Sequence, residues 1–286
     1  MQLTPLVPYA RLPRAYHGHH IVTSTVDAFG RAHWLLAERE PAAEPYDAVV
    51  VTVYDDAHTA TWLHGLTSRH ADLAVLPDGG FVTAAPRSRP DEAHVQVFDA
   101  LGRVSRTFRV GDGVEHLLAD ESGALWVGHF DEGVYGDDPL SWPGLRRWDV
   151  TGEPLWTYDH RDSGEISDCY ALNVHRTHAW ACAYRHFDLL EIRPGRRPVA
   201  HANPVRGANA LAVHGDRVAF FGGYGDEHDR LVAARLSGGA VHPQVTGRLT
   251  RPDGSPVGRR RVVSRGPRIH VQERPGTEWY VFELGA

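Results

Sequence analysis

The chain has 286 residues, of which 42% are apolar and 23% charged, and its formal net charge at pH 7 is −6. Such proportions belong to a globular protein with enough chain for one large core or two small ones, and the acidic balance excludes the basic face that nucleic acid requires. All thirty cationic side chains are arginine, nineteen residues are histidine, and the two cysteines, Cys169 and Cys182, are too few for a disulfide framework.

The first stretch, MQLTPLVPYARLPRAYHG, contains three prolines and no apolar run of the kind a secretory leader carries. No segment approaches the roughly 20 apolar residues of a membrane-spanning helix. These features predict a cytoplasmic protein with reduced thiols and no membrane partner.

From there the chain alternates short apolar runs with tight turns. The clearest example reads ADLAVLP, a turn at DGG, FVTAAP, a loop, HVQVFDA, a turn at LGR, then VSRTFRV. Val, Leu, Phe and Thr fill the runs while Gly, Asp and Pro fill the turns, which predicts four strands. No window of a dozen residues carries a 3.6-residue period, so helices are expected to be few or absent.

This pattern recurs. Phe98-Asp99-Ala100-Leu101-Gly102 matches Trp148-Asp149-Val150-Thr151-Gly152 at an offset of 50, each followed by an aromatic residue, Phe108 and Tyr158. Weaker copies place anchors at 54, 98, 148, 192, 236 and 282, and a second series of turns from Gly30 to Gly266 has a mean spacing of about 47. Two interleaved landmarks at one spacing predict an all-β, six-bladed β-propeller with four-stranded antiparallel blades, in one domain over residues 1–286. A sandwich or barrel would not demand that spacing. The last repeat stops at its third strand, Glu278 to Leu284, so the N-terminal segment Leu3 to Leu12 is expected to supply the fourth and close the last blade.

With the strands of a blade lettered A to D outward, the A–B and C–D turns are expected to be too short to build a pocket. The D–A and B–C loops are longer, and loops of that kind carry binding groups. The stretch GALWVGHFDEGVYG runs from a B strand into the longest of them, Gly128 to Gly144. On that face the A strands begin with His19 and His20, Asp72, Glu115 and His116, Asp168 and Cys169, and Asn209. Polar groups there imply either a wet channel mouth or a binding site on the axis.

The site expected from these positions has His129 or His20 as general base and Glu115, Asp168 and Asn209 as metal ligands. Asp72, His116, Asp131, Glu132, Tyr135, Arg185, His186 and Tyr224 are its expected ligand-binding residues. Imidazoles suit Zn²⁺ and oxygen ligands suit Ca²⁺ or Mg²⁺, so the metal stays open. Trp34, Trp126 and Trp180 fall at matching B-strand places and are expected to pack between blades. Cys169 and Cys182 are expected directly opposite one another, as packing thiols or as a metal or redox pair.

The string Asp120-Glu121-Ser122-Gly123-Ala124-Leu125-Trp126-Val127 resembles the blade signature of streptogramin-lyase-type and two-component-regulator-type propellers. WVGHFDEGVYG together with DCYALNV, Asp168 to Val174, resembles strings of a bacterial group of six-bladed propellers. Resemblance to the lyases implies a metal-assisted elimination that opens a cyclic ester with a histidine as base. Resemblance in fold to gluconolactonase-type hydrolases implies an axial Ca²⁺ held by Glu, Asn and Asp, a chemistry that Glu115, Asp168 and Asn209 match. Two readings follow: a metal-assisted lyase or hydrolase of a small molecule, or a non-catalytic propeller binding a ligand or protein on the same face.

Overall fold

The computed structural model describes residues 2–285. The chain divides into two compact units, Ala10–Tyr158 (the N-terminal unit) and Asp159–Ala286 together with Met1–Tyr9 (the C-terminal unit).

The chain opens with β1 (Gln2–Pro5) and β2 (Val7–Arg11). Three four-stranded sheets follow in the N-terminal unit. The first is β3 (His20–Val26), β4 (Ala32–Ala37), β5 (Tyr46–Tyr54) and β6 (Ala57–Leu66). The second is β7 (Asp72–Val75), β8 (Phe81–Ala84), β9 (Val95–Phe98) and β10 (Val104–Phe108). The third is β11 (Val114–Ala119), β12 (Leu125–His129), β13 (Leu145–Trp148) and β14 (Pro154–Thr157), with a single helical turn α1 (Asp131–Val134) between β12 and β13. In each sheet, consecutive strands are antiparallel neighbours.

A second helical turn, α2 (His160–Ser163), leads into the C-terminal unit. Here β15 (Asp168–His175), β16 (His178–Tyr184), β17 (Leu189–Ile192) and β18 (Val199–His201) form one four-stranded array. A second comprises β19 (Ala210–His214), β20 (Arg217–Phe221), β21 (Arg230–Ser237) and β22 (Ala240–Thr250). The last strands, β23 (Arg260–Arg265), β24 (Arg268–Glu273) and β25 (Glu278–Glu283), are completed by β2 beside β25, the N-terminal strand the repeat called for. The strand before it has a use the sequence did not suggest: β1 pairs parallel with β22 as a fifth strand of the preceding sheet. The array of β15 to β18 and that of β23 to β25 with β2 count as one eight-stranded sheet because a parallel pairing, Asn173 with Ser264, joins β15 to β23.

Strand position explains composition. The second strands β4, β8 and β12 are buried along their whole length, as are β9 and most of β5, and they are mostly apolar, with His33, Thr83, Gln96 and His129 as buried polar exceptions. The outer strands β10 and β14 are largely exposed and carry Ser, Arg and Thr. Within the N-terminal unit, the second and third sheets bury Val82, Val95, Leu117, Leu125, Val127 and Trp148 in one cluster. Each such side chain contributes about 1.5–3 kcal/mol of transfer free energy. Trp34 and Trp126 are fully buried, and Trp180 is half-buried.

The recurring Asp-x-x-Gly turns have one local cause. Asp120 Oδ1 accepts from Ser122 N at 2.9 Å and Ala124 N at 3.2 Å, while Oδ2 accepts from Trp126 Nε1 at 3.0 Å and from the Arg147 guanidinium at 2.7 Å. The lyase-like blade string is therefore an aspartate that folds its own turn and anchors the tryptophan behind it. Asp27 does the same in the first sheet, with His33 in the tryptophan's place, and Asp99 and Asp149 repeat the turn between third and fourth strands. In the C-terminal unit, fully buried Asn173 ties three inner strands together. Its Nδ2 donates to Leu211 O at 2.7 Å and Gly266 O at 2.8 Å, and its Oδ1 accepts from Gly266 N at 2.8 Å.

One expectation needs correcting. Cys169 and Cys182 are both buried and free, but they do not face one another. A β-bulge sets Asp168 against Tyr184 and then Ala171 against Cys182, so the register assumed from an unbroken ladder fails.

Candidate ligand-binding surface

The bulge that separates the cysteines also places an aromatic residue. It sits at Cys169-Tyr170, and such bulges re-aim side chains at strand ends. β16 ends at Tyr184, and residues 185–188 return the chain to β17. Within that four-residue turn Phe187 adopts φ 64°, a left-handed conformation that a bulky side chain rarely takes.

Surrounding groups hold Phe187 there. Its N–H donates to Ala183 O at 2.9 Å, and its carbonyl accepts from Asn203 Nδ2 at 2.9 Å and from the Cys182 thiol at 3.3 Å. Arg206 donates to the neighbouring His186 carbonyl and lays its guanidinium 5.4 Å from the Phe187 ring centre. Arg230 Nη2 in turn donates to Arg206 O at 2.5 Å. Strain of this kind costs about 1–3 kcal/mol and persists where the environment over-determines it, which is characteristic of functional positions.

The ring that results is the floor of an aromatic cluster. Phe187 meets Tyr170, Tyr184 and Tyr224 edge-to-face at 5.4, 5.7 and 6.4 Å, and Tyr170 stacks on Tyr184 at 5.9 Å with 16° between planes. Phe187 is 4% exposed, whereas Tyr184 is 39% and Tyr224 53% exposed. Two partly exposed tyrosines therefore border a buried phenylalanine. Gly207, at φ 70°, leaves the space that Tyr224 fills, since a Cβ there would stand 2.8 Å from the ring. Burial, a hydrogen bond with Tyr224, and the nearby Asp168 and Tyr184 push the Tyr170 phenol well above its ordinary range, so it stays a neutral hydroxyl. Burial likewise pushes the Cys182 thiol up to about 12, an unreactive packing group.

Of the residues expected from sequence, Asp168 pairs with Tyr184 across the strands, Arg185 and His186 are exposed beside Phe187, and Tyr224 belongs to the cluster. Asn209 is exposed, its side-chain oxygen packed against Gly222. Sequence reasoning missed Tyr170, Tyr184, Phe187 and Arg206. The signal available was the spacing of Tyr170 and Tyr184 at matching ends of two paired strands.

In the N-terminal unit, His20 and Asp72 begin β3 and β7 and are half-buried; Glu115 is exposed and His116 half-buried on β11. Asp131 and Glu132 are exposed on α1, where Glu132 and Asp112 share Arg87, and Tyr135 is 57% exposed. His129, expected as a base, is instead fully enclosed. Its Nδ1 lies 2.9 Å from Asp112 O, and burial, reinforced by Arg146, pulls its pKa down to about 4. It is a neutral structural imidazole with no solvent-facing edge.

Among the described residues, no group of three or more His, Cys, Asp or Glu side chains is gathered so as to hold a metal ion. The expectation that the tight turns build no pocket also fails. In the N-terminal unit, Leu76, Pro77, Ala124, Val150 and Leu155 line a cavity of about 280 Å³ at those turns.

No protein-family model matches this chain, and no curated protein matches it in sequence. Solved structures do. A chain of the mitotic checkpoint complex is similar with TM-score 0.56 and 11% identity, over 93% of this chain and 76% of that one. A protein from Lactobacillus plantarum gives TM-score 0.52 and 11% identity, over 86% of this chain and 76% of that one. Virginiamycin B lyase from Staphylococcus aureus gives 0.45 and 10%, over 95% and 97%. At these identities the likeness is one of fold, all-β and propeller-like, and a TM-score of 0.45 supports no shared activity.

Proposed function

We propose that this protein is a ligand-binding propeller, and that its binding surface is the tyrosine platform of the C-terminal unit. The reading takes the repeat of about 47 residues as a blade repeat, six to the chain, supported by four-stranded arrays of matching turn chemistry. The observation that carries the function is the strained Phe187. A bulky ring is held in a left-handed turn by several hydrogen bonds, and it sits buried beside two partly exposed tyrosines.

Such a surface suits a small molecule with one flat apolar face and a polar edge, such as a sugar ring or a planar heterocycle. The flat face stacks on Tyr184 or Tyr224, while Asp168, Arg185 and His186 supply one anionic and two cationic or donor groups for the edge. No metal enters this reading, and none of its residues is assigned a chemical step.

Saturation-transfer NMR against a panel of monosaccharides and planar heterocycles tests it. Ligands are expected whose binding weakens about tenfold in Tyr184→Ala and in Tyr224→Ala, the loss of one stacking contact. Tyr54→Ala, an equally exposed tyrosine of the other unit, should change nothing. Binding that is indifferent to both platform tyrosines would remove the proposal.

A further inference from the structure

The apolar cluster between the second and third sheets of the N-terminal unit ends in a polar layer. His94 precedes β9 and is 4% exposed; His129 ends β12 and is 0% exposed. Each ring nitrogen Nδ1 faces a backbone carbonyl, Glu92 O at 3.2 Å and Asp112 O at 2.9 Å. A carbonyl only accepts, so both rings carry their proton on Nδ1 and present a bare lone pair at Nε2.

Neither Nε2 has a hydrogen-bond partner, although both atoms are buried, and the same holds for Arg109 Nε and Arg146 Nε. Asp138 is common to them: His129 lies near Arg146, His94 and Asp138, and His94 near Arg109, Glu92 and Asp138. Asp138 is 2% exposed and already engaged, accepting from Arg109 Nη2 at 2.7 Å and from Leu140 N at 3.1 Å. Buried polar atoms in such number are rare in a finished core.

The lone pairs and N–H groups do not match a single metal ion, because two guanidinium groups adjoin them. They match an anion as soon as the rings take up protons. Each imidazole then becomes a donor at Nε2, so all four orphaned nitrogens are N–H donors, and two imidazolium and two guanidinium groups accompany the carboxylates of Asp138 and Glu92. Charge on two enclosed rings beside two partly buried guanidinium groups is stabilised by a counter-ion. We propose that this layer is a binding site for one small monovalent anion of chloride size, taken up together with protons on His94 and His129. It is separate from the tyrosine platform in residues, in ligand and in unit.

Thermal unfolding of the whole chain tests this, with sodium chloride exchanged for sodium methanesulfonate at constant ionic strength. Near pH 5, chloride at about ten times its dissociation constant is expected to raise Tm by about 2 °C, and near pH 8 by less than about 0.5 °C. His94→Gln and His129→Gln, which cannot take the proton, should abolish the difference between the two pH values. Arg109→Gln, at a side chain about one-third exposed, should lower the chloride shift near pH 5 even if the buried histidine variants fail to fold. A chloride effect equal at both pH values, absent near pH 5, or intact in Arg109→Gln overturns the proposal.

Discussion

Two connections hold the same place in their sheets and behave in opposite ways. Residues 130–144 join β12 to β13 and form the longest loop; residues 185–188 join β16 to β17 with four residues. The long loop covers itself. Asp138 caps Leu140 N, Ser141 Oγ donates to Asp112 O at 2.8 Å, Trp142 Nε1 donates to Gly136 O at 2.8 Å, and His129 is enclosed beneath. The short one has no room for a core of its own. It takes its hydrogen bonds from Asn203, Cys182 and Arg206, bends at a left-handed Phe187 and leaves aromatic faces outward. Loop length measures how much chain must satisfy its own backbone; binding capacity comes from what is left unsatisfied or exposed afterwards.

The short connection stands on a rigid frame of inner strands, and loss of that frame has the largest expected effect. Asn173→Ala deletes three buried hydrogen bonds and strands the Leu211 and Gly266 backbone groups. A loss of about 3–5 kcal/mol is expected in urea denaturation, at the upper end for a single residue. A loss under about 1 kcal/mol would mean that the inner strands of that unit are held elsewhere.

The enclosed histidine under the long loop predicts acid lability. The folded-state pKa of His129, about 4, lies below the ordinary 6.5, so the unfolded chain binds the proton first. Stability from this group is complete above about pH 6.5, falls as pH drops through the window to about 4, and is flat below it. The whole effect is about 3 kcal/mol. His129→Gln should flatten that part of the pH profile measured by denaturation in methanesulfonate buffers, where the proposed anion does not offset it. An unchanged slope would show that the ring is not enclosed.

Much of the frame was legible because it rests on local chemistry. An Asx turn announces itself as Asp followed by Gly, so Asp99-Ala100-Leu101-Gly102 and Asp149-Val150-Thr151-Gly152 set the period, and the missing last strand followed from counting. The surface was half legible. Asp168, Arg185, His186 and Tyr224 could be placed because they border the right strands. Tyr170 and Phe187 could not, since one depends on a bulge that slips the β15–β16 register and the other on a backbone angle that no side chain prefers. The reading of His129 as a base came from its residue type. Burial, which decides whether an imidazole is a base or a brick, is a tertiary property. The parallel strand β1 left no trace because an added edge strand needs no pattern of its own.

Gly207 sharpens the comparison at the platform. Gly207→Ala adds a methyl group 2.8 Å from the Tyr224 ring at φ 70°, whereas Gly238→Ala, at φ 57°, meets nothing within 4 Å. Both carry backbone strain of about 1 kcal/mol, and the first adds roughly another for the displaced ring. Gly207→Ala should therefore unfold at lower urea concentration than Gly238→Ala and also weaken ligand binding, which Gly238→Ala should not. Equal stability of the two would mean that Tyr224 is free to move aside, and the platform would not be pre-formed.

The smallest effect on stability decides most about the surface. Tyr184 and Tyr135 are exposed tyrosines beside the short and the long connection respectively, 39% and 57% accessible. Truncating either to alanine should change stability by no more than about 1 kcal/mol, because neither ring is fully buried. They should part company in binding. Tyr184→Ala removes a face backed by Tyr170 and Phe187, a rigid stack that loses little entropy when a ligand lands on it, and about tenfold in affinity should go with it. Tyr135 stands on a loop whose groups are bonded to one another, and its loss should leave affinity unchanged. If the two variants were to exchange these outcomes in a titration, the binding face would belong to the long loop, and the strain at Phe187 would be a matter of folding alone.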